Sequence, residues 1–120
     1  MSRSTLVLGA SPEPSRYAYL AALNLLQHGH LITLVGKRTG EVGGVPILQE
    51  IPSASRFHTV TLYLNPMLQE SYHAELLALR PERIIFNPGT EHDAFAERAR
   101  AKGIEVVYGC TLVILGTGQY

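Results

Sequence analysis

The sequence predicts an α/β domain in which a parallel sheet of about five strands, ordered 3-2-1-4-5, carries helices on both faces. Three observations predict it. Short aliphatic and β-branched runs recur along the chain, segments with apolar residues at helical spacing stand between them, and prolines or glycines mark the joins. Strands and helices alternating at this rhythm build right-handed crossovers. In that order the chain reverses direction between strands one and four, and such sheets bind ligands in the crevice at the reversal. The turn Gly9-Ala-Ser11 and the loop Asn87-Pro-Gly-Thr90 are therefore expected to face one another there.

Each element has its own signal. Thr5 to Leu8 is an apolar run suited to a central parallel strand. Helix one spans Ser15 or Arg16 to Gln27, with Tyr19, Ala22, Leu23 and Leu26 on one stripe and Gly29 as its cap. Leu31 to Val35 is the second strand. Gly36 to Pro52 holds four glycines and two prolines and reads as loop, with short extended pieces at Glu41-Val42 and Val45 to Ile47. Phe57 to Leu64 is strand three. Asn65-Pro66 then caps a helix whose stripe is Leu68, Tyr72, Leu76 and Leu79, ending at Arg80 before Pro81.

Arg83 to Phe86 is strand four. Thr90, with Asp93 three residues on, resembles a capping box opening a helix that ends at Lys102, before Gly103. Ile104 to Tyr108 is strand five. The apolar tail Thr111 to Leu115 is compatible with a sixth strand, a helical turn or a partner-facing segment.

At 120 residues, 1–120 is a single domain with one core, and too short to hold a dinucleotide-binding half plus a separate substrate domain. Ten Lys and Arg balance ten Asp and Glu, which gives no support for nucleic acid or a membrane surface as partner. Cys110 is the single cysteine, so no internal disulfide forms; this suits a reducing cytoplasm. Neither a targeting segment nor a membrane span is expected.

The chemistry concentrates at Thr5 to Arg16. A strand feeding a small-residue turn and a helix start presents backbone N–H groups to an anion, so a phosphorylated cofactor is expected there. A nicotinamide or flavin site would place glycines at Gly9, Ser11 and Pro14, and two of the three are missing. Strand two ends in Gly36, Lys37 and Arg38, where an NAD site wants an acidic residue. A cation there suits a ribose bearing its own phosphate, as in NADP or coenzyme A, and NAD and FAD are disfavoured. Ser11 can donate its hydroxyl, and Arg16 can grip a pyrophosphate in two-pronged fashion. The plainer alternatives are a turn-capping Ser11, a solvated Arg16 and an ordinary loop lysine at Lys37.

An ordered set of segments carries a resemblance: Val7-Leu-Gly-Ala-Ser-Pro-Glu-Pro-Ser-Arg16-Tyr17; Gly36-Lys-Arg-Thr-Gly-Glu-Val-Gly-Gly44-Val-Pro46; Val60-Thr-Leu-Tyr-Leu-Asn-Pro66; Ile84-Ile-Phe-Asn-Pro-Gly-Thr-Glu91; and Gly109-Cys-Thr-Leu112. Over essentially the whole chain it resembles the CoA-binding domain family. That family includes small stand-alone bacterial proteins and the first domain of the succinyl-CoA synthetase alpha subunit. The resemblance implies a three-layer Rossmann-like fold and coenzyme A as ligand. It implies Gly9, Ala10, Ser11 and Arg16 at the CoA phosphates, and Gly36 and Lys37 at the adenosine end with its 3′-phosphate. Leu64, Asn65 and Pro66 would line the adenine and pantetheine path, and Asn87, Pro88, Gly89 and Thr90 would close the other side. The ligase's phosphohistidine lies in a second domain lacking here, so ligase activity does not carry over.

Other residues fit no reaction. The five histidines show no metal-ligand spacing; His92, in a helix's first turn beside the crevice, is the one nearest a role. Cys110 is a core thiol, or a partner for CoA in a mixed disulfide. Tyr63, Tyr72 and Tyr108 are core or rim aromatics, with Tyr63 near the ligand loops. With no nucleophile and base in view, the expected function is non-catalytic binding, sensing or carriage of coenzyme A or an acyl-CoA, not enzymatic turnover. An NADP-binding protein or reductase subunit, and a structural domain with a vestigial nucleotide site, are the alternatives. The apolar tail leaves a homodimer or a partner enzyme open.

Overall fold

A computed structural model describes residues 2–120. Its sheet has seven strands: β1 (Thr5–Leu8), β2 (Ile32–Val35), β3 (Glu41–Val42), β4 (Val45–Leu48), β5 (Thr59–Leu62), β6 (Arg83–Phe86) and β7 (Glu105–Tyr108). They lie in the order β3-β4-β2-β1-β5-β6-β7, all parallel except β3, which forms an antiparallel hairpin with β4. The helices are α1 (Tyr17–Gln27), α2 (Pro66–Gln69), α3 (His73–Leu79), α4 (Asp93–Ala101) and α5 (Thr111–Gly116). None is long and apolar enough to cross a membrane.

The α/β class with a mainly parallel sheet is as expected, but the strand count and order are not. The strand expected third, β5, pairs with β1, setting Thr5 opposite Thr59 and Leu8 opposite Leu62. The place outside β2 belongs to Val45–Leu48, with Leu34 opposite Ile47. Burial explains the exchange. All four residues of β5 are buried, which demands cover on both faces and a central position. In β4 only Ile47 is buried, and Pro46 lacks a ladder donor, so that strand suits a place near the rim. The chain's reversal therefore falls between β1 and β5, and the loop after β6 sits one strand farther away than expected.

Alternation along β1 distributes the core over both faces. Leu6 and Leu8 join Val60, Leu62, Ile84 and Phe86 beneath Leu76 and Leu77 of α3 and Phe95, Ala96 and Ala99 of α4. Val7 joins Leu34 and Ile47 beneath Ala22 and Leu25 of α1 and Leu115 of α5. Three layers result, as expected.

Two local expectations need correction, and one left open is decided. The helix after Asn65 is interrupted by a 3-10 turn at Glu70–Tyr72, which rotates its buried face. Gln69, His73, Leu76 and Leu77 point inward, while Leu68 is exposed. The start of α4 is capped by His92, whose ring nitrogen accepts from the Phe95 N–H at 3.2 Å, not by Thr90. Of the alternatives for the apolar tail, the helical one holds: it is helix α5, packed on the same face as α1.

Candidate functional site

The ends of β1 and β2 meet so closely that the sequence there is dictated by contact. A Cβ on Gly36 would stand 2.2 Å from the Ala10 carbonyl oxygen, and one on Gly9 would stand 2.9 Å from the Tyr63 carbonyl carbon. Gly9 also has φ +96°, a left-handed value that glycine alone adopts without strain. Both glycines are therefore explained by packing at the strand ends.

The turn's own donors are largely spent. Gly9 N–H and Ala10 N–H both donate to the Val35 carbonyl, at 2.8 and 2.9 Å, and lock the turn to the end of β2. Ser11 Oγ accepts from the Glu13 N–H at 3.1 Å, so the expected turn-capping role is present, with the hydroxyl proton still available. The open donors lie one step further on. Arg16, the N-cap of α1, provides no side-chain cap, and the first turn contains no acidic residue. The N–H groups of Tyr17, Ala18 and Tyr19 meet no backbone acceptor among the described residues. They form the positive end of an 11-residue helix.

That helix end opens into a cleft of about 480 Å³ at the reversal between β1 and β5. Gly9, Ala10 and Ser11 line it from below; Arg16, Lys37 and Arg38 bring three cations; Tyr63, Leu64, Asn65 and Leu68 form the wall after β5. Arg38 is held by Glu13 at 3.2 Å, which joins the loop after β2 to the turn after β1. Neither Arg16 nor Lys37 has an acidic partner within ion-pair distance among the described residues. Asn65 accepts from the Leu68 N–H at 2.9 Å and so caps α2, with Pro66 at the first helical position. A smaller hollow of about 160 Å³ adjoins it, sharing Gly9, Lys37, Leu64 and Leu68 and adding Gly36, Ser71 and Tyr72. The two together have the size of a small-molecule pocket.

Asn87 and Thr90 do not reach this wall, because β5 intervenes. Asn87 is buried: its Nδ2 donates to Thr61 Oγ1 and the Leu62 carbonyl at 2.7 and 2.9 Å, and its Oδ1 accepts from the Thr111 N–H at 2.9 Å. Thr90 donates its hydroxyl to the Asn87 carbonyl. Pro88 and Gly89 are exposed at the tip of this loop. Asn87 thereby fastens β5, β6 and α5 together with Thr90 braced against it, and none of the four residues lines the cleft with Gly9-Ala-Ser11.

A family model described as CoA binding domain matches residues 3–116. The chain belongs to this family. A crystal structure of an uncharacterized protein, 49% identical, superposes with TM-score 0.96 over 100% of this chain and 99% of that one. A hypothetical protein from Pyrococcus horikoshii OT3 is 23% identical over 93% of this chain and 80% of its own, with TM-score 0.84. A Thermus thermophilus protein is 23% identical over 99% and 91%, with TM-score 0.83. These two share the fold. No curated protein matches the chain. Membership of the CoA binding domain family supports a CoA-binding role in general, and the anion-seeking donors of the cleft are compatible with it.

Several residues of the neighbourhood escaped sequence reasoning. Tyr17 and Leu68 line the cleft although both looked like ordinary helix positions. Tyr63, expected near the ligand loops, lines it as well, and burial pushes its phenol well above the ordinary tyrosine range. Behind the wall, Gln69 and His73 are buried polar residues on a helix face expected to be apolar. His92 is tied to Glu70 Oε2 at 3.0 Å and caps α4, which fixes it as a structural residue beside the loop. Cys110 is half-buried before α5 and does not line the cleft.

Proposed function

We propose that the cleft binds coenzyme A or an acyl-CoA and that the protein serves as a non-catalytic binding, sensing or carrier module. The observation carrying this reading is the uncapped start of α1 opening into the same cleft as Ser11, Arg16, Lys37 and Arg38. Backbone donors, a hydroxyl and three cations converge where a polyanion would be held. Ser11, Arg16 and the first N–H groups of α1 take the pyrophosphate. Lys37 meets the phosphate on the ribose, beside Gly36. Leu64, Asn65 and Leu68 supply the less polar wall for adenine and pantetheine, with Pro66 setting its direction. Gly9 and Ala10 shape the floor, and Asn87, Pro88, Gly89 and Thr90 brace the wall from behind. NADP is the second reading, favoured by the same unpaired Lys37.

Thermal melting with CoA, dephospho-CoA, NADP and NAD separates the readings. A ligand at a hundredfold excess over its Kd stabilises by about 2.7 kcal/mol, enough to raise Tm by roughly 10 °C in a domain of this size. CoA should do so, dephospho-CoA less, and NAD not at all. An equal response to all four would overturn the CoA reading, and a larger response to NADP than to CoA would replace it.

A further inference from the structure

We infer that Gln69 is a positioning residue for the cleft: its side-chain amide holds the ligand-facing Leu64 wall against the loop after β6. Resting on the CoA reading above, the inference concerns a residue outside the cleft lining. Gln69 is fully buried, 0% exposed, at the end of α2. Its Nε2 donates to the Leu64 carbonyl at 3.0 Å and to the Thr90 carbonyl at 2.9 Å. Both partners are acceptors only, so chemistry fixes the amide's orientation without ambiguity. The oxygen then faces His73, whose Nε2–H donates to it at 3.1 Å. The His73 ring is itself immobilised, stacked on Phe95 with ring centroids 3.8 Å apart and planes within 4°.

The two carbonyls belong to the segments that follow adjacent strands, β5 and β6. Leu64 lines both the main cleft and the adjoining hollow. No other side chain among the described residues bonds to the Leu64 carbonyl or to that of Thr90. One amide therefore sets the separation of the two segments, and a rigid wall spares a ligand the cost of ordering it on binding. Apolar packing at the same place would fill the space but leave the buried Thr90 carbonyl and the partly buried Leu64 carbonyl without these donors. Glutamate in its ionised form would set negative charge against both.

Isothermal titration with CoA, at temperatures where each protein is fully folded, compares the wild type with Gln69→Leu and Gln69→Glu. Both variants should bind roughly tenfold more weakly near neutral pH, on the scale of one to two lost hydrogen bonds. Gln69→Glu should regain part of the loss as pH falls and its carboxyl acquires a proton to donate, a recovery that Gln69→Leu cannot show. Binding by both variants within twofold of the wild type overturns the inference while leaving the CoA reading intact; failure of the wild type to bind CoA overturns the reading itself. If the variants do not fold, the wild type decides. The Gln69 side-chain amide protons should be protected from exchange in the free protein and keep their signals when CoA saturates it, while the Ser11 amide signal moves. Gln69 amide protons that exchange as fast as exposed ones, or become protected only when CoA is bound, would overturn the inference.

Discussion

His73 should make the fold acid-sensitive by an amount the structure specifies. It is 5% exposed, and its ring sits 3.8 Å from Phe95 and 4.6 Å from His92. Burial, reinforced by His92 and Arg98 and opposed by Glu70, holds its pKa down to about 4 from 6.5. Between those values the unfolded chain binds a proton that the folded chain refuses. The stabilisation is thus complete above pH 6.5 and drains away as pH falls towards 4. From pH 7 to pH 5 the loss is about 2 kcal/mol. His73→Asn keeps an N–H donor on the side chain but does not titrate. Urea unfolding of both proteins at the two pH values isolates the effect, because His30 and His58, whose pKa values burial also lowers, are present in each. The variant should be less stable at neutral pH and should lose about 2 kcal/mol less than the wild type on acidification. Equal losses in the two proteins would refute the reasoning, as would an NMR titration placing the His73 midpoint at 6 or above.

Three further outcomes follow from particular contacts. Gly36→Ala sets a methyl group 2.2 Å from the Ala10 carbonyl oxygen, so the ends of β1 and β2 must part; a loss of about 3 kcal/mol or more is expected by thermal melting, and an unchanged Tm would contradict the close approach. Asn87→Ala removes three buried hydrogen bonds and should cost roughly 2–4 kcal/mol while the folded protein keeps its CoA affinity within about twofold; a large affinity loss without destabilisation would return Asn87 to the ligand's first contacts. Cys110 lies outside the cleft lining, so incubation with CoA disulfide should leave its thiol unmodified; mass spectrometry finding a CoA-sized adduct on Cys110 would show that the ligand's thiol end reaches it.

The elements were legible where one physical rule governs them. Thr5–Leu8 and Arg83–Phe86 announce themselves by unbroken apolar character or nearly so, and Asn65-Pro66 by capping chemistry. The order of the strands was not legible, because β4 and β5 compete for the place beside β2 and only the finished sheet shows which one is covered on both faces. The turn after β1 reads in sequence as an anion site, yet the Val35 carbonyl takes both of its first donors. Periodicity cannot foresee that choice between internal and external partners. The backbone donors left open accordingly begin at the helix, not on the turn where Ser11 and Pro14 stand in place of a dinucleotide fingerprint's glycines. Gln69 was invisible for a related reason. A polar residue reads as outward-facing until a 3-10 turn rotates the helix and two carbonyls are found waiting for it.

The β3–β4 hairpin has a bearing on solubility. An unfinished parallel sheet offers its last strand as a template for another chain, and β4 would have been that strand. Two residues, Glu41 and Val42, run back along it instead, and Pro46 withholds one donor from the ladder. The border so made is short, reversed in direction and marked by an exposed carboxylate, features that discourage edge-to-edge growth. At the opposite border β7 is only four residues long, with exposed Glu105 and Tyr108 at its ends. Both borders are thus blunted by the chain's own sequence, and the short extended pieces expected within the glycine-rich segment, at Glu41-Val42 and Val45 to Ile47, are what close one of them.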